Sequence, residues 1–459
     1  MKKTLLLTLA LGLSAVTLMA GTVQVYVTGA TAFRKNVYAA CQALYSSPPT
    51  IYYADLTHGG DGNNNNGTAS WVMTGSPVST LTNLQGNTLI VHGNFTGSVQ
   101  GIKTVEQATL LQFASPAGVS GGFASAYETN VPTIGFSDAS GASTPYPASG
   151  NYVEENVCIQ PFVMLKSVAS GGVTNINNVS WEQYRYGIIH GRVPLASWTG
   201  KITDTNTFVY LYERTDDSGT RRNETSQMGY EYADPVGVYI YDLTNHLWYT
   251  PTVLSNSFTG FAPYGVIGTE GPGDQNVNIS SEFWFGYIGG GDIKTHLKDN
   301  NIANQGISYL SIADAQGVGA SNWATVVSFN GFWPTAAGVG IHGNTVANDY
   351  SPITLGYYAC WGLEVLVHPT DPSLVNYHGI GSQTISQTQL GDQFTPGTFM
   401  GVFNAQTVIN GGSPIVGSIE KTIVDSKTGG SLFPATAIPL ADMVNTRDSV
   451  GGIIEPIGK

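Results

Sequence analysis

Val23-Gln24-Val25-Tyr26-Val27-Thr28-Gly29-Ala30-Thr31-Ala32-Phe33 changes character at its middle. Val23 to Val27 carries β-branched residues at every second position, the pattern of a strand. Over residues 30–45 the apolar side chains Phe33, Val37, Cys41 and Leu44 recur at spacings of four, four and three, which is one face of a helix. Thr28 and Gly29 therefore mark a strand-to-helix junction. The alternation continues outward. The sequence predicts strands over 50–54 and 88–92, a helix from near Ser98 with Ile102, Val105, Ala108 and Leu111 inward, then strands over 131–136 and 157–165. Strands alternating with helices predict parallel βαβ units. In such sheets ligands collect beyond the carboxyl ends of the strands, so chemistry is expected at the junctions.

The middle third reads differently. A helix opened by Ser180 is predicted over 180–190, a strand over 207–213 and a second helix from Ser218 onward. Strands over 236–241 and 262–267 lie among long loops rich in Gly, Asn, Ser and Thr, and further strands are predicted over 307–312 and 324–329. Residues 354–368 read as a helix bearing Trp361 and several aliphatic side chains. No repeat of 20 to 50 residues is visible.

At 459 residues the chain suits two or three domains. Its composition, 42% hydrophobic and 11% aromatic, predicts a folded protein. With 18 basic against 31 acidic residues the net charge is −13, so the cationic surface that nucleic acid or an anionic membrane requires is missing. Residues 1–20 resemble an export signal: Lys2 and Lys3, an uncharged apolar run, then Ala20 before Gly21. A periplasmic or secreted product without an inserted anchor is expected. Cys41, Cys158 and Cys360 lie in apolar surroundings and read as buried small hydrophobes rather than nucleophiles or metal ligands.

Four strand-to-helix junctions share small hydroxyl and glycine residues: Thr28-Gly29-Ala30-Thr31, Gly97-Ser98-Val99-Gln100-Gly101, Gly135-Phe136-Ser137-Asp138, and Arg214-Thr215-Asp216-Asp217-Ser218-Gly219-Thr220. Each alone reads as an ordinary cap or turn. Together they offer helix N–H groups and hydroxyls that bind a dehydrated anion without net positive charge. Arg214 beside Ser218 and Thr220 suits a tetrahedral oxyanion. Asp138 suits one that keeps a proton, because a carboxylate accepts that proton and repels a fully deprotonated ligand.

This set resembles the phosphate-binding protein of bacterial phosphate ABC transporters, a type II periplasmic binding protein. The blocks that carry the resemblance are Gly29-Ala30-Thr31-Ala32-Phe33, Gly97 to Gly101, Gly135 to Asp138, Arg214 to Thr220, and Gly306-Ile307-Ser308-Tyr309-Leu310-Ser311 with Asn330-Gly331-Phe332-Trp333-Pro334. Ala32 separates Thr31 from Phe33 where the family motif has them adjacent. The resemblance implies an α/β fold of two lobes, with mixed sheets flanked by helices and two crossings near residues 160 and 305. The first lobe would take residues 21–160, the second 161–305, and 306–459 would complete the first lobe and form the C-terminal segment. It implies a ligand-binding set of Thr31, Phe33, Ser98, Asp138, Arg214, Ser218, Gly219 and Thr220, an inorganic phosphate-like ligand, an ABC permease as partner, no cofactor and no catalysis.

Other readings weigh less. Residues 55–82 and 241–280 read as insertions, which together with the low charge suits a surface or matrix protein that keeps the fold. A secreted hydrolase of phosphoesters or glycans lacks an activated nucleophile, since Gly135-Phe136-Ser137-Asp138-Ala139 breaks the Gly-x-Ser-x-Gly elbow at Ala139. Asp61, Asn63 and Asn65 faintly suggest a calcium loop whose glycine and closing glutamate are misplaced or missing. The eight histidines have no metal-ligand spacing. Arg34, Arg221 and Arg222 are expected mostly in solvent.

Overall fold

The computed structural model describes residues 21–53, 69–117, 119–120, 123–124, 126–146, 150, 152–215, 218–230, 234, 236–244, 246–249, 286–287, 289–315, 326–334, 350–370, 385–406, 413–427, 437–443, 445–447 and 454–456. The expected export signal, the 61–66 loop, the 262–267 strand and Asp216 and Asp217 lie outside them.

The opening strand β1 (Thr22–Gly29) is followed by helix α1 (Arg34–Ala43), then by β2 (Thr50–Tyr53), β3 (Ser70–Gly75), β4 (Thr88–Asn94), helix α2 (Ser98–Glu106) and β5 (Ile134–Ser137). β1 is parallel to β4, with Val25 opposite Val91, and parallel to β5, with Thr28 opposite Gly135. The carboxyl ends of β1, β4 and β5 thus share one edge, where Thr28, Gly97 and Asp138 stand. β3 lies antiparallel between β4 and β2, so part of the stretch read as an insertion belongs to the sheet.

The second half of the sheet is built from β6 (Tyr152–Lys166), β7 (Phe208–Tyr212), β8 (Gly306–Ser311) and β9 (Trp361–Pro369), with helices α3 (Trp181–His190) and α4 (Gly219–Gln227). β7 and β8 are parallel, while β6 is antiparallel to β8 and to β9, and β9 is antiparallel to β5. One mixed sheet therefore runs from the edge strand Arg192–Pro194 through β7, β8, β6, β9, β5, β1, β4 and β3 to β2 and two further short strands.

Two hydrophobic cores flank this sheet. The first gathers Val25, Val27, Phe33, Val37, Cys41, Trp71, Val91 and Phe136, and is closed by Phe399, Phe403 and Ile419 from the C-terminal helices. The second gathers Phe162, Leu165, Tyr184, Ile188, Leu211, Tyr309, Ile353 and Trp361. Each large apolar side chain buried here contributes about 1.5–3 kcal/mol.

The cores locate the crossings. β6 passes from the first core at Cys158 to the second at Ile159, and β9 passes back from Trp361 in the second to Leu366 in the first. The return expected near residue 305 is therefore found in β9, because residues 307–312 and 326–329 pack into the second core. Residues 361–369 are a strand rather than the expected helix; only Ser351–Thr354 is helical in that region. A central strand covered on both faces reads as a near-continuous apolar run, which single-sequence periodicity does not separate from a buried helix. Cys41, Cys158 and Cys360 are all buried, and they do not form a disulfide with one another.

Candidate functional site

Gly29 ends β1 at φ +119°, a conformation open to glycine and strained for other residues. Ala30 N donates to Phe136 O at 2.8 Å and Gly97 N donates to Gly29 O at 3.0 Å, which ties the carboxyl ends of β1, β4 and β5 together. Gly101 packs so closely on Gly29 that an added Cβ would stand 2.8 Å from its Cα. The first turn of α2 thereby sits directly over the strand ends. Ser98, its first residue, is buried, and its hydroxyl donates to Asp138 Oδ1.

Asp138 follows β5 and is fully buried. Across from it, α4 begins with Ser218 as cap, whose Oγ accepts from Arg221 N at 3.2 Å. Thr220 Oγ1 donates to Asp138 Oδ2 at 3.2 Å. Asn223, one turn on, donates its amide to Asp138 O and, at 3.2 Å, to Gly219 O. Gly219 is pressed against the carboxylate: a Cβ there would overlap Asp138 Oδ1 and come within 2.6 Å of Ser98 Cβ. The N-termini of α2 and α4, from opposite lobes, meet at this one carboxyl group.

Arg214 follows β7 and is buried, with Nε donating to Tyr287 O at 3.2 Å. Arg221 Nη1 donates to Arg214 O at 2.8 Å. Burial pushes the Asp138 carboxyl above its ordinary range, and the Ser98 hydroxyl, the Arg214 charge and the Thr220 hydroxyl oppose that shift. The site thus sets a partly stabilised carboxyl between hydroxyl donors and a buried cation. Behind it, the Tyr184 hydroxyl donates to Glu224 Oε1, and burial together with neighbouring Glu213 holds the Glu224 carboxyl well above its ordinary range.

Ser98, Asp138, Arg214, Ser218, Gly219 and Thr220 therefore gather where the lobes meet. Phe33 does not join them. Its ring is fully buried in the first core, 5.8 Å from the Phe136 ring centre, and its N–H is bonded to Ala30 O. Thr31 is half-buried in the turn before α1. Arg221 and Arg222 are buried rather than solvated, since α4 is covered on nearly every side.

Two residues of the site escaped the sequence. Asn223 lies four residues after Gly219, hence on the same helix face, and that spacing could have found it. Glu364 was hidden because its segment read as a helix. Among the described residues no three His, Cys, Asp or Glu side chains come together to hold a metal ion, and no helix is long and apolar enough to cross a membrane.

No protein-family model and no curated protein matches the chain. Solved structures do. A protein assigned as a phosphate ABC transporter substrate-binding protein with bound phosphate, from Clostridium perfringens, is 14% identical with a TM-score of 0.36, over 76% of this chain and 86% of that one. An ABC-type phosphate transport receptor from Vibrio cholerae is 12% identical with a TM-score of 0.34, over 77% and 92%. PstS from Borrelia burgdorferi is 11% identical with a TM-score of 0.29, over 77% and 90%. What the junctions of this chain can hold follows from their own side chains.

Proposed function

We propose that the protein is an exported solute-binding protein that takes a protonated phosphate-like oxyanion between its lobes, without making or breaking a bond. The observation that carries this is Asp138, which receives one hydroxyl from each lobe beside a buried arginine. A ligand that keeps a proton donates it to Asp138, while Ser98 and Thr220 turn their hydroxyls to the ligand's other oxygens. No side chain caps the N-terminus of α2, so its first-turn N–H groups suit an anion, whereas α3 is closed by a Ser180–Gln183 capping box. Arg214 supplies the paired charge.

Closure of the lobes would bury the ligand and strengthen each hydrogen bond as the local dielectric falls. Sulfate, which carries no proton at neutral pH, would leave Asp138 an unmatched buried acceptor. In this reading residues 1–20 direct export and an ABC permease receives the ligand. The test is a thermal-shift series on the mature protein with phosphate, arsenate, sulfate and molybdate. A ligand that binds only the folded state raises the melting temperature by mass action. Phosphate and arsenate are expected to raise it and sulfate to leave it in place; no shift with any of the four rejects the proposal.

A further inference from the structure

Glu364 lies in the middle of β9 and is fully buried, and neither Oε1 nor Oε2 has a hydrogen-bond partner. Its place follows from the strand register. β9 pairs with β5 as Val365 opposite Ser137 and Leu366 opposite Phe136. One step beyond those pairs the same direction leads from Glu364 to Asp138, the first residue past β5. Gly362, two residues earlier and so on the same face, meets the Asn223 amide, which itself donates to Asp138 O. Two carboxyl groups thus share one buried spot where the lobes meet. Asp138 has hydroxyl donors and the Arg214 charge, while Glu364 has neither.

We infer that Glu364 is a positioning residue behind Asp138, and that its ionisation sets the alkaline limit of oxyanion binding in the cleft. The inference rests on the oxyanion function proposed above. Two neighbouring buried carboxyls do not both ionise readily, so the one with donors takes the charge and the one without keeps the proton. Among the described residues, the ionisable groups placed against Glu364 are Asp138 from the loop after β5 and Cys158, its register partner on β6; α4, which carries Arg221, Arg222 and Glu224, brings Asn223 against the neighbouring Gly362. Burial, and after it the Asp138 charge, hold the Glu364 carboxyl well above its ordinary range. Once Glu364 loses its proton, two negative charges stand beneath the anion and repel it.

The experiment is calorimetric titration of the mature protein with inorganic phosphate from about pH 6 to about pH 10, for the wild type and for Glu364→Gln. Glutamine keeps the shape and cannot ionise, so the wild type is expected to lose at least about ten times more affinity over that range than E364Q, the factor of one pKa unit. Parallel losses in the two proteins overturn the inference and leave the phosphate function standing. Absence of phosphate binding by the wild type at every pH overturns both. Should E364Q not fold, Glu364→Leu takes its place with the same expected outcomes, because an apolar side chain suits a position that offers a carboxyl no partner.

Discussion

Thr220 of the second lobe gives its hydroxyl to Asp138 of the first at 3.2 Å, and the same carboxyl takes the hydroxyl of Ser98 from its own lobe. The contact between Thr220 and Asp138 thus latches the N-terminus of α4 to the loop after β5. Thr220→Val keeps the shape and removes the donor. Urea denaturation is expected to show a loss of about 1 kcal/mol, the net worth of one buried hydrogen bond. A variant as stable as the wild type would mean that Asp138 does not depend on this donor.

Gly219→Ala tests the closeness of the lobes. In an exposed helix this change adds stability, roughly 0.5–1 kcal/mol. Here the new methyl group would overlap Asp138 Oδ1 and press on Ser98, so the lobes must part. Phosphate binding is expected to fall by about 100-fold or more, with circular dichroism unchanged and a larger radius of gyration by X-ray scattering. Unaltered affinity would show that α2 and α4 do not close on the ligand.

Asp138→Asn replaces an acceptor-only carboxylate with an amide that can also donate. The preference for phosphate over sulfate should narrow by about 100-fold or more, by analogy with sites that reject a ligand lacking one hydroxyl. Titration calorimetry with both anions reads the ratio directly. The same preference in both proteins would remove Asp138 from the discrimination.

Glu364 also predicts how stability depends on pH in the absence of ligand. Its carboxyl is raised in the folded state, so its contribution is fully present below the ordinary carboxylate range and is lost as pH rises towards the raised value. Glutamine is free of that loss. E364Q should therefore gain on the wild type as pH rises from about 4, by at most about 1.4 kcal/mol per pH unit, in urea denaturation. A constant difference across the range would show that Glu364 titrates as it does in the unfolded chain.

Ser180→Ala gives a calibration away from the cleft. It opens the capping box in which Ser180 Oγ accepts from Gln183 N at 3.2 Å and Gln183 Oε1 accepts from Ser180 N at 2.9 Å. A loss of about 1 kcal/mol with ligand binding intact is the expected result.

Much of the first lobe was legible in the residues. Alternation of Val23, Val25 and Val27 and the Phe33, Val37, Cys41 spacing located β1 and α1 because both signals lie within one or two turns of chain. β9 was not legible: Trp361, Gly362, Leu363 and Glu364 face different environments that are supplied by β6, β5 and α4, all distant in sequence. Phe33 illustrates the same limit, since it stands at a strand-to-helix junction while its ring belongs to the first core.

By itself the sequence determined the chemistry of the strand ends, because glycine, serine, threonine, aspartate and arginine at a strand-to-helix turn act through local backbone geometry. It took the tertiary structure to show that Ser98, Asp138 and Thr220 meet, that the chain recrosses in β9, and that Glu364 is buried next to the end of the β5–β9 ladder. Those relations depend on strand register and core packing between residues up to 226 positions apart, from Asp138 to Glu364, and such distances leave no periodic trace along the chain.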